Sequence, residues 1–193
     1  MKTKQPTRGF GVFEKFLAKK RAKLANKFIP DNVRNGNVLD IGCGSEPFFL
    51  LNTKFKNKYG IDPFTNGKFN DITIKKIAVG KDKLPFEDNF FDTIVMLAVF
   101  EHIREDKLDF VLKEIKRVLK KNGIFIITTP SPWGHIVLRL MSKFKLVSGE
   151  EIEDHKHAFP NKIIRKYLEK AGFVQVAGGY FETYFNMWLI AIK

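Results

Sequence analysis

Short apolar runs alternate with amphipathic stretches along most of the chain. Five runs have the length and β-branched content of buried strands: NVLDI, NKYGID, KKIAVG, DTIVMLAV and GIFIITT, which begin at residues 37, 57, 75, 92 and 123. Helices are predicted where apolar residues recur at helical spacing, as in NKIIRKYLEKAG and at Leu108, Val111, Leu112, Ile115, Val118 and Leu119, with Gly123 as the stop. Two final strands, at 173–181 and 183–192, are close enough in sequence to be antiparallel neighbours.

This alternation predicts an α/β protein with a doubly wound, mostly parallel seven-stranded sheet and an antiparallel last strand. Ligands of such sheets bind outside the carboxyl ends of the strands, at the switch in strand order. The loops that follow the predicted strands are therefore the place to look for candidate chemistry.

An amphipathic stretch precedes the first strand. Residues 10–29 predict a helix that ends before Pro30, with its apolar side formed by Phe13, Phe16, Leu17, Leu24 and Phe28. Residues 1–34 carry ten Lys or Arg against two acidic residues, a net charge of +8 out of +13 for the whole chain. Such a charge is compatible with a solvated surface, with nucleic acid or with peripheral contact to an anionic membrane. We expect residues 1–30 to form a basic helix that caps the functional site.

Composition narrows the class of protein. The 193 residues, 44% of them hydrophobic, predict a single domain over residues 1–193. One cysteine excludes an intrachain disulfide and agrees with a reducing compartment. No apolar run is long enough for a transmembrane segment, and no signal-peptide core follows the basic N-terminus. A cytoplasmic location is therefore expected.

The stretch NVLDIGCGSEPF places an acid at the mouth of a glycine turn. Asp40 closes the first strand, Gly42 and Gly44 form the turn, and Asp62 closes the second strand. A dinucleotide-binding turn is disfavoured because its third glycine would fall at Pro47 and because Asp40 would face a pyrophosphate. S-adenosylmethionine fits better, since it has ribose hydroxyls, a sulfonium and an ammonium group but no phosphate.

Five segments in this order resemble the class I S-adenosylmethionine-dependent methyltransferases, specifically the small type 11 branch. They are VLDIGCG, YGIDP, LPFEDNFFDTIVMLAVFEHI, LKEIKRVLKKNGIFIITTP and KYLEKAGF, which together span about residues 37–173. The resemblance implies a Rossmann-like methyltransferase fold, S-adenosylmethionine as cofactor and S-adenosylhomocysteine as product.

The resemblance also implies roles around the first glycine turn. The backbone of Gly42, Cys43 and Gly44 would lie against the cofactor, with Asp40 near its methionine end. Apart from this role, Cys43 has the character of a small buried packing residue.

At the adenosine end, the resemblance implies that Asp62 accepts hydrogen bonds from the ribose hydroxyls and that Pro63 lies beside the adenine. The family often has a further acid where this chain has Gly80, and Asp82 is displaced from that position by two residues. Main-chain groups near Lys81 are therefore expected to contact the adenine instead.

Candidate residues for the methyl acceptor follow the fourth and fifth strands. Segment 131–159 is predicted to form a substrate lid, and it contains three of the four histidines. Within it, His157 is the candidate general base. The other residues expected to line the substrate pocket are Glu101, His102, Trp133 and His155. His155 and His157 lack a third suitably spaced ligand, so no metal site is predicted.

These features favour a methyltransferase that acts on a small-molecule, sugar-linked or lipid-linked acceptor. A nucleic-acid methyltransferase that uses the basic arm is an alternative, although no asparagine–proline–proline-type signature and no RNA-binding module is visible. A catalytically silent S-adenosylmethionine-binding protein is a third interpretation. Turnover on a methyl acceptor separates the first two from the third.

Overall fold

The computed structural model describes residues 12–81, 83–143 and 159–193, and side chains within 15–81, 83–137 and 159–193. Its helices are Val12–Phe28 (α1), Phe48–Leu51 (α2), Glu105–Val118 (α3), Pro132–Lys143 (α4) and Asn161–Lys170 (α5). Its strands are Asn37–Ile41 (β1), Asn57–Asp62 (β2), Gly67–Phe69 (β3), Ile72–Lys76 (β4), Phe91–Leu97 (β5), Leu119–Pro130 (β6), Val174–Phe181 (β7) and Asn186–Ile192 (β8).

The strands form one sheet in the order β3-β4-β2-β1-β5-β6-β8-β7. Strands β4, β2, β1, β5 and β6 are parallel to one another, whereas β8 is antiparallel to both β6 and β7. The predicted fold class is therefore confirmed. Because β1 lies between β2 and β5, the glycine turn that follows β1 opens at the switch in strand order.

The sheet has one more strand than predicted. The short strand β3 pairs antiparallel with β4, and all three of its residues are exposed, so no buried apolar residue marks it in the sequence. Strand β4 also begins earlier than the predicted KKIAVG run. Its alternating residues Ile72 and Ile74 are the buried ones.

Helix α3 ends four residues earlier than its glycine suggests. Leu119, predicted as helical, has extended backbone angles and is the first residue of β6, where it pairs with Phe91. Gly123 lies within β6 and does not end the helix. The remaining predicted helical core positions of α3 are all buried, so the helix packs on the sheet as expected.

Helix α1 packs through small side chains. Ala22 and Ala25 are buried against the sheet, as is Ile29 directly after the helix, whereas Phe16, expected on the apolar side, is 51% exposed. The two alanines allow a close approach of the helix to the sheet, and Phe28 packs on Trp188 of β8 with ring centroids 4.5 Å apart. No helix among the described residues is long and apolar enough to cross a membrane.

Candidate functional site

The turn after β1 is held open by two glycines. Gly42 and Gly44 have φ values of 76° and 69°, a left-handed conformation that glycine adopts without a steric cost. A Cβ atom at Gly42 would clash with Val99, whereas nothing lies within 4 Å of the position of a Cβ at Gly44. The turn is thus closely packed at its first glycine and leaves space for a ligand at its second.

Asp62 ties this turn to the next one. One of its carboxylate oxygens accepts a hydrogen bond from the backbone N–H of Gly44 at 3.1 Å. The other accepts from the N–H groups of Phe64 and Thr65 at 2.9 and 3.2 Å. Because its side chain is almost fully buried and faces both turns, Asp62 orients the ends of β1 and β2 relative to each other.

Asp40 is buried beside Asp62. Loss of hydration and the negative charge of Asp62 together raise the pKa of the Asp40 carboxyl to about 7. Among the described residues, no Lys, Arg or His forms an ion pair with either carboxylate. Two buried carboxyls next to an open glycine turn favour a ligand with positive charge and hydroxyl donors and disfavour a phosphate. S-adenosylmethionine meets both requirements, because it carries positive charge and ribose hydroxyls and has no phosphate.

We expect the contribution of Asp40 to the free energy of unfolding of the cofactor-free protein to fall as the pH rises from about 4 to about 7. In the folded state the pKa of Asp40 is about 7, so the carboxyl keeps its proton through most of this pH window. In the unfolded chain its pKa is 3.8, so it is ionised there. The folded state therefore binds more protons, and the stabilisation is lost as the pH rises. The variant Asp40→Asn should lack this contribution, which is at most about 4 kcal/mol.

Denaturant titrations of both proteins at intervals between pH 4 and 8 measure the difference. Carboxyl groups that do not interact with Asp40 contribute equally to both profiles and cancel in the comparison, so the difference reports Asp40 together with its coupling to Asp62. Parallel profiles for the wild type and Asp40→Asn would contradict the assignment.

The expected adenosine side of the site lies at the same edge of the sheet. Pro63 is partly buried directly after β2, and the carbonyl of Asp62 accepts a hydrogen bond from Ile77 at 2.9 Å. Lys81 is exposed in the turn after β4, and the neighbouring Gly80 faces Lys107 of α3. Asp82 lies outside the described residues.

The segment after β5 places a carboxylate beside the glycine turn. Ala98 has a left-handed φ of 56° and is held by a hydrogen bond from its N–H to the carbonyl of Thr128 at 2.8 Å. This bend directs Val99 onto Gly42, and a 3₁₀ turn over residues 100–102 follows directly. A non-glycine residue in this conformation costs of order 1 kcal/mol, and such strain is concentrated at functional sites.

Glu101 lies on this 3₁₀ turn and is 3% exposed. Its Oε2 accepts a hydrogen bond from the hydroxyl of Thr129, at the end of β6, at 2.9 Å. Its Oε1 is buried and has no hydrogen-bond partner among the described residues. A buried acceptor without a donor costs about 1–3 kcal/mol, so this oxygen is open to a donor other than the described residues.

The other candidates for the acceptor side are placed unequally. His102 follows Glu101 and is partly buried, and Trp133 is 59% exposed in the first turn of α4, so Trp133 does not belong to the core. His155, His157 and most of the proposed 131–159 lid lie outside the described residues. Within the described part of the chain, no three His, Cys, Asp or Glu side chains are grouped closely enough to hold a metal ion.

Thr129 is the site residue that the sequence did not single out. Its signal is weak, because a threonine at the end of a buried strand is usual. It becomes informative only when the pairing of β5 with β6 places Leu97 opposite Thr128 and so brings the residue after Thr128 next to Glu101.

Comparison with known proteins agrees with the geometry. A family model described as a methyltransferase domain matches residues 13–177. An uncharacterised protein of Methanocaldococcus jannaschii is 30% identical over 146 residues, which is 72% of this chain and 63% of that protein. The ubiquinone biosynthesis O-methyltransferase of Pelagibacter ubique is 32% identical over 112 residues, 50% of this chain and 43% of that enzyme. The tRNA U34 carboxymethyltransferase of Nautilia profundicola is 36% identical over 108 residues, 51% of this chain and 35% of that enzyme.

The chain thus spans less than two thirds of the length of these relatives.

Solved structures share its fold. A SAM-dependent methyltransferase from Archaeoglobus fulgidus superposes with a TM-score of 0.70 at 19% identity, covering 94% of this chain and 98% of that one. The putative methyltransferase of Haloferax volcanii, solved with its Trm112 activator, has a TM-score of 0.70 at 17% identity and 92% coverage of both chains. The protein belongs to the methyltransferase-domain family, which implies S-adenosylmethionine as the cosubstrate.

Proposed function

We propose that this protein transfers the methyl group of S-adenosylmethionine to a small-molecule, sugar-linked or lipid-linked acceptor. The observation that carries the proposal is Glu101, a buried carboxylate whose Oε1 has no donor among the described residues. Glu101 lies two residues after Val99, and Val99 packs on the glycine turn. Glu101 therefore lies beside the expected methionine end of the cofactor.

We assign the cofactor to the carboxyl ends of β1, β2 and β4. Asp40 would face the positively charged methionine end, and Asp62 would accept from the ribose hydroxyls with the lone pairs that its three backbone donors leave. The residues proposed to contact the remainder of the cofactor are Gly42, Cys43, Gly44, Pro63 and Lys81. When bound, the cofactor supplies a methyl carbon that is already activated by the sulfonium.

The contribution of the chain is then to orient the acceptor and to receive its proton. Glu101 Oε1 can accept a hydrogen bond from an acceptor hydroxyl or ammonium group and take the proton as the methyl group is transferred. Thr129 holds the other carboxylate oxygen, which fixes the direction of Oε1. His157 is the second candidate for the base, and His102, Trp133 and His155 are proposed to line the pocket.

A nucleic-acid acceptor is the second candidate function. The tRNA-modifying relatives and the basic charge of residues 1–34 favour it. Those relatives match only about half of this chain, and the ubiquinone biosynthesis O-methyltransferase of Pelagibacter ubique matches a similar share. The acceptor class therefore has to be decided by experiment.

The test is transfer of a labelled methyl group from S-adenosylmethionine to metabolite, lipid, glycan and RNA fractions. Label in the metabolite, lipid or glycan fraction is the expected result. Label in RNA alone would replace the proposed acceptor with a nucleic acid. Tight binding of S-adenosylmethionine without transfer to any fraction would favour a catalytically silent protein.

A further inference from the structure

Three segments meet at the carboxyl edge of the sheet and expose large apolar side chains there. We call this the edge surface, and it consists of Phe16, Lys19 and Lys20 on α1, Trp133 and Ile136 on α4, and Tyr180 and Tyr184 on the β7–β8 hairpin. The five apolar or aromatic side chains in it are 47–66% exposed. Single exposed apolar residues are ordinary, but several grouped at one edge indicate an interaction surface.

Contacts between the segments show that they adjoin. The N–H of Ser131, just before α4, donates to the carbonyl of Phe185 at 2.9 Å, and its hydroxyl donates to that of Tyr184 at 2.5 Å. On the other side of the same hairpin, the guanidinium of Arg21 donates to the side chain of Asn186 at 3.3 Å. Helix α1 and helix α4 are therefore both attached to the end of one hairpin.

The first half of α1 runs along this edge towards the glycine turn. Lys15 forms an ion pair with Glu46, which follows Gly44, at 3.5 Å. Between Lys15 and Arg21, the residues Phe16, Lys19 and Lys20 face solvent, and the ammonium of Lys20 lies 5.1 Å from the centre of the Phe16 ring. Basic charge and an exposed ring thus occur together beside the proposed methyl-transfer site.

The hairpin end that carries Tyr184 is strained. Glu182, Thr183 and Tyr184 are three consecutive non-glycine residues with φ between 51° and 69°. Such a run is costly, and it holds Tyr184 in its 66% exposed position. Of the acidic groups nearby, Glu46 is paired with Lys15, whereas Glu182 keeps its negative charge, with one oxygen buried and the other accepting a hydrogen bond from Asn186.

We propose that the edge surface docks on an anionic lipid bilayer. Trp and Tyr side chains favour the interface between headgroups and acyl chains, and Phe16 and Ile136 provide apolar groups that can enter it. Exposed lysines are attracted to anionic headgroups within a Debye length of the surface. The aliphatic side chain of Ile136 has no ring to stack on an RNA base but can enter the acyl region, which favours the bilayer.

Docking in this way turns the carboxyl ends of β1, β5 and β6 towards the membrane. If the proposed function holds, the methyl acceptor is then an amphipathic lipid. Its polar group reaches Glu101 while its apolar part stays in the bilayer.

The test is binding of the full chain to vesicles of phosphatidylcholine, with and without phosphatidylglycerol, at low and high salt. The wild type should bind the anionic vesicles at low salt, and added salt should release it. In a Trp188→Phe background, Trp133 is the one remaining tryptophan, and its emission should shift to the blue on binding. If the wild type does not bind anionic vesicles at low salt, or binds RNA tightly instead, the inference is wrong.

Two double variants make the test specific to this surface. Lys19→Glu with Lys20→Glu should weaken binding to anionic vesicles at least tenfold. Lys54→Glu with Lys56→Glu is the matched control, because it makes the same charge change at exposed lysines beside the amino end of β2, the opposite edge of the sheet. Equal losses of vesicle affinity in both variants would show that net charge alone governs binding. The assignment of binding to the edge surface would then be wrong.

A third variant, Tyr184→Ser, tests the apolar contribution and should weaken binding to anionic vesicles at low salt without changing how steeply that binding falls with added salt. Thermal unfolding of every variant checks that the fold is retained. Vesicle binding without methyl transfer to any fraction would leave the docking of the edge surface standing and remove both the proposed function and the lipid acceptor. Transfer to a water-soluble acceptor without vesicle binding would leave the proposed function standing and remove the docking and the lipid acceptor.

Discussion

Replacing Glu101 with glutamine should lower the turnover number by about 10²–10⁴-fold on an acceptor that holds its proton at neutral pH. Glutamine keeps the size of the side chain and an oxygen for the Thr129 hydroxyl, but it cannot take a proton. The affinity for S-adenosylhomocysteine should change little, because the cofactor is assigned to Asp40 and Asp62. Steady-state kinetics with calorimetry of cofactor binding separates the two effects.

Glu105→Gln is the matched control for this substitution. Glu105 lies four residues further on, at the start of α3, where its exposed carboxylate accepts a hydrogen bond from Tyr167 at 2.8 Å. Its replacement should leave the turnover number near that of the wild type. If Glu101→Gln is equally active, the base lies elsewhere, and the double variant His155→Ala with His157→Ala becomes the decisive measurement.

The second large effect is expected at Asp62, whose replacement by alanine should weaken cofactor binding by at least about 1–3 kcal/mol. The ribose hydroxyls would lose their proposed partner. In addition, the N–H groups of Gly44, Phe64 and Thr65 would lose the oxygens that orient both turns. Calorimetric titration with S-adenosylhomocysteine gives the difference directly, and Asp31→Ala, at a fully exposed carboxylate, is the control.

A purely structural role of Asp62 can be separated from ribose binding with a cofactor analogue that lacks both ribose hydroxyls. If the carboxylate binds the ribose, the wild type should discriminate strongly against the analogue and Asp62→Ala should discriminate little. Equal discrimination by both proteins would mean that Asp62 only organises the turns.

The parallel sheet and the acids at its edge could be predicted because their signals are local. Strand β1 is a continuous apolar run that ends at an acid and two glycines, and β2 ends at another acid. Once both strands are parallel neighbours, their carboxyl ends must meet at one edge. The resulting proximity of Asp40 to Asp62 follows from topology, without knowledge of any side-chain contact.

The arrangement of the acceptor-side residues and the packing of α1 depend on contacts that the pattern of apolar and polar residues does not predict. Glu101 and Thr129 are 28 residues apart, and their hydrogen bond requires a particular register of β5 against β6. In α1, aromatic residues suggested the inward face, but the close approach of the helix selected Ala22 and Ala25 instead. Large side chains mark a buried face well only when the distance between layers is known.

Cys43 offers a chemical reporter for the cofactor turn. It is the one cysteine of the chain, it is buried, and burial together with the charges of Asp40 and Asp62 raises the pKa of its thiol. An alkylating reagent reacts with the thiolate, so in the folded protein this sulfur should be inert. A cysteine introduced on the surface could therefore carry a fluorophore without removal of the native one. The rate at which Cys43 itself is slowly labelled would report how often the turn between β1 and α2 opens. A bound cofactor should lower that rate.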